Sequence, residues 1–306
     1  KPEITDLEYD KLMQELQELE QKHPELVTED SPTQKLGDQP VEGLSQVAHR
    51  VPMLSIENSY DVPAVKKFAE STAEALDGEP VEWVVEYKID GAAIALTYEN
   101  GKLVRGATRG NGQVGDDITH NAATILDVPR RLKGSPPPVL EIRGEVYMTN
   151  SDLVALNERQ TEKGLEPYAN PRNVAAGSIR LLDPRECASR RLRFFAHGVG
   201  YCEGLEVADH IEFLKDLASY GLSPTPLVRS FASIDEALVH CETMIEQMGD
   251  LDFEIDGLVL KVNRYEQRER LGMRSKSPRW VIAYKFEKYE AKTKVNKISV
   301  QVGKTG

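Results

Sequence analysis

Glu86, Lys88 and Asp90 alternate through the run Glu86-Tyr87-Lys88-Ile89-Asp90-Gly91, a spacing that suits a covalent lysine nucleophile flanked by acids. Side chains alternate along a strand, so Val81, Trp83, Val85, Tyr87 and Ile89 make an apolar face while Glu86, Lys88 and Asp90 project from the other. One face builds core and the other is available for chemistry. Lysine attacks only as the neutral amine, so an ammonium with a free pKa of about 10.4 has to be brought down by desolvation or by neighbouring cations. The candidate cations lie far along the chain, at Lys261 and Lys285. An isolated Lys-x-Asp-Gly would be better explained as a half-exposed strand whose lysine pairs with its acidic neighbours. The rest of the chain shifts that balance.

With 306 residues, 40% of them hydrophobic and 29% charged, the chain can bury a sizeable core as one large domain, or one large and one small. No apolar run approaches the ~20 residues needed to cross a bilayer, and Lys1-Pro2-Glu3-Ile4-Thr5-Asp6 is not a signal peptide. These observations lead us to expect a soluble intracellular protein with no membrane partner. Cys187, Cys202 and Cys241 are few, odd in number and widely spaced, so we expect reduced thiols and neither a disulfide framework nor a structural metal. A net charge of -12 argues against an autonomous nucleic-acid surface, because affinity for a phosphate backbone comes largely from clustered Lys and Arg. Any polynucleotide substrate would have to be gripped mostly by other parts of a longer protein.

The opening segment reads as a helix, with Thr5 and Glu8 as a capping box and Asp6, Tyr9 and Asp10 together at i, i+3 and i+4. The helix dipole alone accounts for two acids in a first turn, and a cationic ring docked beside an aromatic is the functional alternative. Residues 28–40 thin into a connector containing Pro32, Gly37 and Pro40. A helix over 62–76, the lysine strand, and a hairpin turning at Asn100-Gly101 should follow, pairing 92–98 antiparallel with 103–108. Gly110-Asn111-Gly112-Gln113-Val114-Gly115 matches G-x-G-x-x-G, but it follows a hairpin strand. The helix expected after it begins with Asp116 and Asp117, which would repel a pyrophosphate, so a Rossmann site is rejected.

A strand over 140–148 carries Glu141, Arg143 and Glu145 on its non-apolar face. There Glu145 could hold a ribose hydroxyl or simply pair with Arg143. Asn170-Pro171-Arg172-Asn173 reads as an N-cap with proline at the first helical position, opening a helix to about 182 that aims Arg172 and Arg180 at an anion or leaves them on a solvated face. His197, in a strand near 194–199, taken alone reads as a core histidine. Helices over about 209–220 and 234–248 precede strands over 253–262 and 280–286. These late strands contain Asp256, Lys261 and Lys285, and lysines in such apolar settings need anions. Strict alternation puts Asp256 and Lys261 on opposite faces unless Gly257 introduces a bulge.

Taken together, Lys88-Ile89-Asp90-Gly91, Arg143-Gly144-Glu145-Val146, Asp256-Gly257-Leu258-Val259 with Lys261, and Tyr284-Lys285-Phe286 resemble the ordered nucleotidyltransferase motifs of DNA ligases. The Asp6-Leu7-Glu8-Tyr9-Asp10 helix, Thr108-Arg109-Gly110, Asn170-Pro171-Arg172-Asn173 and Gln301-Val302-Gly303-Lys304-Thr305-Gly306 are similar to the bacterial NAD-dependent DNA ligases in particular. The resemblance implies an α+β fold of the ligase and mRNA-capping nucleotidyltransferase type, with antiparallel sheets around a nucleotide cleft and a small helical subdomain in front. It further implies a partial nicotinamide-mononucleotide-binding helical piece and linker at 1–38, an adenylation domain at 39–297, and the start of an oligonucleotide-binding fold at 298–306.

In that family's pattern Lys88 attacks the adenylyl phosphorus of NAD+, releases nicotinamide mononucleotide and holds AMP for transfer to the 5'-phosphate of a nick. Glu86, Ser55, Ile56 and His197 border adenine, and Glu145 holds the ribose. Arg109, Arg172, Asp256, Lys261 and Lys285 border the nucleotide, with Arg109, Lys261 and Lys285 as the catalytic cations that stabilise charge on the phosphoryl oxygens and lower the lysine pKa, while Asp90 orients Lys88 or a Mg2+ ion. Asp6, Tyr9 and Asp10 face the nicotinamide half. The resemblance implies Mg2+ or Mn2+, with no metal ligand assigned in this stretch beyond a candidate position near Asp90 and Asp256, and zinc only in a carboxy-terminal part beyond it. Nicked double-stranded DNA is expected as partner of the full-length protein, with weak or no binding and no nick sealing by this stretch; the expected setting is a monomer in bacterial cytoplasm. Asn111 and His197 stand where an aspartate and an adenine-stacking tyrosine are usual. The alternatives are an ATP-dependent ligase or capping-type nucleotidyltransferase, and an inert adenylate-binding module.

Overall fold

In a computed structural model of the chain, residues 19, 20, 22, 23, 43–274 and 277–286 are described. Asp6, Tyr9 and Asp10, the 28–40 connector and residues 298–306 lie outside the described residues. The strands are β1 (Gln46–Ala48), β2 (Glu57–Ser59), β3 (Trp83–Ile89), β4 (Ala92–Glu99), β5 (Lys102–Thr108), β6 (Val114–Asp116), β7 (Val139–Tyr147), β8 (Arg193–Glu203), β9 (Arg229–Phe231), β10 (Ile255–Val262) and β11 (Val281–Tyr284). They form a five-stranded sheet in the order β2-β11-β10-β3-β9, a four-stranded sheet in the order β5-β4-β7-β8, and a small β1-β6 ribbon. Among the described residues every pairing between these strands is antiparallel except β11 with β2. The architecture is α+β, as expected.

The lysine strand lies inside the larger sheet. Trp83, Val85, Tyr87 and Ile89 pack into one core with residues of the helices Val62–Ala75 and Ile234–Glu246, so the alternation read from the sequence holds. The second core gathers the apolar residues of β4, β7 and β8 under the helices Asn150–Glu162, Pro171–Ser178 and His210–Ser219.

Turn chemistry sets the registers. Asn100 and Gly101, at φ of 49° and 74°, close the β4–β5 hairpin in the left-handed conformation that asparagine and glycine tolerate best. Residues 109–113 likewise turn between β5 and β6, and Val114 and Gly115 lie within β6. A Cβ on Gly115 would lie 1.8 Å from the Thr108 carbonyl oxygen, and Asn111 Oδ1 accepts from the backbone N–H groups of Gln113 and Val114, at 2.9 Å each. The glycines of 110–115 therefore serve close backbone approach. The helix expected to open on Asp116 and Asp117 does not form there. Asp116 instead ends β6, and a single turn of helix begins at Thr119, whose backbone N–H donates to Asp117 Oδ1 at 2.9 Å.

Candidate active site

Strands β3, β7 and β10 and the helix Pro171–Ser178 carry most of the charged groups of the cleft, with Asp90, Arg109 and Lys285 just past the ends of β3, β5 and β11. Lys88 projects from the non-core face of β3, but its partner is neither acidic neighbour. Lys88 Nζ donates to Asp256 Oδ1 at 2.8 Å, and the other oxygen of Asp256 accepts from Lys285 Nζ at 3.0 Å. The three side chains are 26%, 22% and 28% exposed, so an incoming ligand can reach them. Two facing ammonium groups hold the Asp256 carboxyl below its usual range, although burial pulls it the other way.

A bulge makes this bridge. The β10–β3 register breaks between Ile255, opposite Ile89, and Leu258, opposite Tyr87, so Asp256 and Gly257 together face Lys88. Gly257 sits at φ +149°, where a Cβ would lie 2.6 Å from the Tyr284 carbonyl oxygen. The extra residue brings Asp256 round to the side from which Lys261 projects, resolving the alternation conflict in the sequence.

Glu86 lies two residues before Lys88 and is almost fully enclosed. It forms an ion pair with Lys261, the two side chains being 3% and 6% exposed. Lys261 also donates to the His197 carbonyl oxygen at 2.8 Å, tying β10 to β8 across the cleft. Burial raises the Glu86 carboxyl, but Lys261 and His210 more than offset this, and the group stays ionised. The face carrying Glu86 is thus closed by the second sheet at this point and open only near Lys88. The His197 ring is held near pKa 4, chiefly by burial and then by Lys261, so it is neutral at physiological pH.

Asp90 pairs with Arg172 Nη1 at 2.9 Å. Arg172 stands in the first turn of the helix Pro171–Ser178, whose start is fixed by Asn170 Oδ1 accepting from the Arg172 and Asn173 backbone N–H groups at 2.7 and 3.3 Å. Arg180 pairs with Asp116 at 3.0 Å. Glu145, half-buried on β7, is pushed up to about pKa 8 by burial, against the pull of Lys88, Arg172 and Arg109. It does not pair with Arg143, which binds Glu141 and the carbonyl oxygens of Val51 and Pro52. Arg143 thereby anchors the stretch that leads to Ser55, exposed, and Ile56, half-buried. Arg109 is exposed at the end of the hairpin. Gly91 closes the motif: a Cβ there would lie 2.1 Å from the Val146 carbonyl oxygen and 3.0 Å from Glu145 Cγ, so the backbone after Lys88 abuts the Glu145 strand.

Lys88, Asp256, Lys285, Glu145, Asp90, Arg172 and Arg109 therefore share one electrostatic neighbourhood, while Glu86 and Lys261 form a separate buried pair whose other charged neighbours are His210, His197 and Arg268. His210, read from the sequence only as part of a helix, is fully buried against Glu86. Its local signal, a histidine directly after the N-cap Asp209, does not distinguish it from a capping-region residue.

The arrangement offers an amine, cations converging beside it and carboxylates of contrasting protonation, which suits nucleophilic attack on a phosphorus centre. Residues 41–289 match the family described as NAD-dependent DNA ligase adenylation domain, and residues 1–37 match the DNA ligase-like N-terminal NAD+-binding domain. A DNA ligase of Rhodopirellula baltica is 53% identical over 100% of this chain and 45% of its own length, and one of Desulforudis audaxviator is 47% identical over 100% and 46%. A DNA ligase of Rubrobacter xylanophilus is 48% identical over 100% of this chain and 45% of its own. The chain thus spans a little under half the length of these relatives. With 41–289 matched and the cleft assembled from the same stretch, the chain belongs to the NAD-dependent DNA ligase adenylation domain family.

Proposed function

We propose that this chain performs the adenylation step of an NAD+-dependent DNA ligase, with Lys88 as the nucleophile. The observation that carries the reading is the Lys88–Asp256–Lys285 bridge, which sets an amine beside a second cation at a ligand-accessible position. The Lys88 ammonium first gives one proton to solvent to become the attacking amine. Its nitrogen attacks the adenylyl phosphorus of NAD+ and a P–N bond forms. The pyrophosphate P–O bond then breaks, nicotinamide mononucleotide leaves with the bridging oxygen and its electron pair, and a second proton passes from the nitrogen to solvent. Lys285 and Arg109 stabilise negative charge on the phosphoryl oxygens. A phosphate approaching Lys88 competes with Asp256 for both ammonium groups, so substrate binding itself frees the amine from its carboxylate.

Glu86 and Lys261, a closed pair in the structure, separate to recognise adenine, with Ser55, Ile56 and His197 lining its pocket; Lys261 thus serves the base and not the phosphoryl oxygens. Glu145, protonated in the empty site, donates to or accepts from a ribose hydroxyl. Asp90 and Arg172 hold each other at the mouth of the cleft, where Arg172 can turn to phosphate. Asp6, Tyr9 and Asp10 are assigned to the nicotinamide half. We take 1–38 as the helical nicotinamide-binding piece and linker, 39–297 as the adenylation domain and 298–306 as the beginning of a further domain. Magnesium or manganese would be held mainly by phosphate oxygens with a single supporting carboxylate, Asp256 or Asp90. Among the described residues no three His, Cys, Asp or Glu side chains gather into a metal cage, and no step here runs through the ion. Transfer of AMP to nicked DNA belongs to a longer protein. No helix among the described residues is long and apolar enough to cross a membrane, and action as a monomer in bacterial cytoplasm is part of the proposal.

Intact-mass measurement after separate incubation with NAD+ and with ATP tests the assignment. The expected result is one added AMP with NAD+, none with ATP, and none in Lys88→Ala. An adduct persisting in Lys88→Ala refutes the nucleophile. Labelling by ATP alone turns the reading to an ATP-dependent enzyme, and AMP binding without any adduct turns it to an adenylate-binding module.

A further inference from the structure

His210 is the first residue of the helix His210–Ser219 and is 0% exposed. Its Nε2 lies 3.4 Å from Glu86 Oε2, while the other oxygen of Glu86 is occupied by Lys261. The backbone that carries the ring is fixed as well. The His210 backbone N–H donates to the Asn263 carbonyl oxygen at 3.0 Å, and the Ile211 backbone N–H donates to Asn263 Oδ1 at 3.2 Å. Asn263 is bound in turn to Glu82, immediately before β3, through its backbone N–H at 2.8 Å and its side-chain amide at 2.5 Å. The imidazole is thereby referenced to the strand that carries Glu86 and Lys88.

Burial, and after it Lys261, keeps this ring neutral, near pKa 3. A neutral imidazole facing a carboxylate donates from Nε2, leaving Nδ1 as acceptor. Nδ1 has no protein partner among the described residues, and neither do Tyr265 Oη or Arg268 Nη2. A ring that leaves its second nitrogen unsatisfied in the interior while turning the first to Glu86 is oriented by that contact.

We propose that His210 is a positioning residue for base recognition: by fixing the second oxygen of Glu86, it holds the carboxylate as an acceptor for a 6-amino purine and against a 6-oxo purine. This rests on the reading of Glu86 as the purine contact. The 6-amino group of adenine donates to a carboxylate. The 6-oxo group of hypoxanthine presents a lone pair to the same anion, and a buried site built for one rejects the other. A carboxylate held by Lys261 alone is free to rotate about its last torsion, and the discrimination is lost with the orientation.

The test is calorimetric binding of AMP and IMP to the whole chain, with folding of each variant checked by circular dichroism. Wild type is expected to favour AMP. In His210→Met, of similar bulk and without a donor, and in His210→Asn, whose amide falls short of Glu86, the IMP-to-AMP ratio of Kd values should fall at least about tenfold. His210→Gln reaches as far as Nε2 and should keep the ratio within about threefold of wild type. If His210→Met fails to fold, His210→Asn decides. Loss of discrimination in His210→Gln, or its retention in the folded Met or Asn variant while Glu86→Gln abolishes it, overturns the role of His210 and leaves that of Glu86 standing. Equal binding of AMP and IMP by wild type, or binding of neither, refutes the Glu86 reading itself.

Discussion

Replacing Lys261 with methionine would leave Glu86 charged, enclosed and short of its principal partner. The two side chains are 3% and 6% exposed, so water cannot substitute for the ammonium. Breaking a buried pair from one side costs about 3–5 kcal/mol. His210 remains against Glu86 Oε2 and offsets about 1 kcal/mol of that as a residual hydrogen bond, so we expect a loss near ~3 kcal/mol. The double variant Glu86→Gln/Lys261→Met, carrying no charge, should recover about 2 kcal/mol as a coupling energy.

Urea unfolding followed by tryptophan fluorescence reads this directly, because Trp83 begins the same strand and is 3% exposed. The pH dependence adds a second signature. In the wild type the Glu86 carboxyl is depressed, so its contribution is present above the unfolded carboxyl pKa of about 4.3 and lost as pH falls through the lower folded value. Without Lys261, burial dominates and the folded pKa rises above the unfolded one. The deficit of Lys261→Met is then greatest at neutral pH and shrinks toward pH ~5 as Glu86 protonates. A deficit below about 1 kcal/mol, or one unchanged by acidification, would show Glu86 to be hydrated and refute the enclosed-pair argument.

Gly91→Ala should lose about 1–3 kcal/mol or more in urea unfolding, because its Cβ would meet the Val146 carbonyl oxygen at 2.1 Å. Self-adenylation should fall with it, because the same contact sets Lys88 against the Glu145 strand. Glu145→Gln should stabilise the empty protein increasingly between pH ~4.3 and ~8: burial holds the native carboxyl near pKa 8, so the wild type loses stability over that range. An NMR titration placing Glu145 in the ordinary carboxylate range would contradict this. Asn111→Asp should change stability by no more than about 0.5 kcal/mol, since the Oδ1 that accepts from Gln113 and Val114 is retained. A larger loss in denaturant would mean that the amide half of Asn111 has a partner of its own.

The elements were legible wherever local chemistry decides them. Alternation from Trp83 to Ile89, the Asn100-Gly101 turn and the Asn170 cap each leave a short-range pattern, and each forms as read. The partners of the charged groups were less so. Lys88 and Asp256 are 168 residues apart in sequence, and their contact depends on a bulge that alternation could raise only as one of two options. Glu86 looked like part of an open face, yet β8 and the helix at His210 close over it. Nothing adjacent to Glu86 in the chain announces a covering element supplied more than a hundred residues later. The 110–115 glycines show the converse, a familiar spacing whose actual use is backbone proximity in a turn and the strand that follows it.

The position of β3 also governs how the molecule comes into being. Its hydrogen-bonding neighbours, β9 and β10, are Arg229–Phe231 and Ile255–Val262. During synthesis at roughly 5–20 residues per second, this strongly apolar strand waits on the order of ten seconds with both edges unpaired. The strand bearing Lys88 therefore needs shielding on the ribosome, and the cleft takes shape only after nearly all of this sequence has emerged.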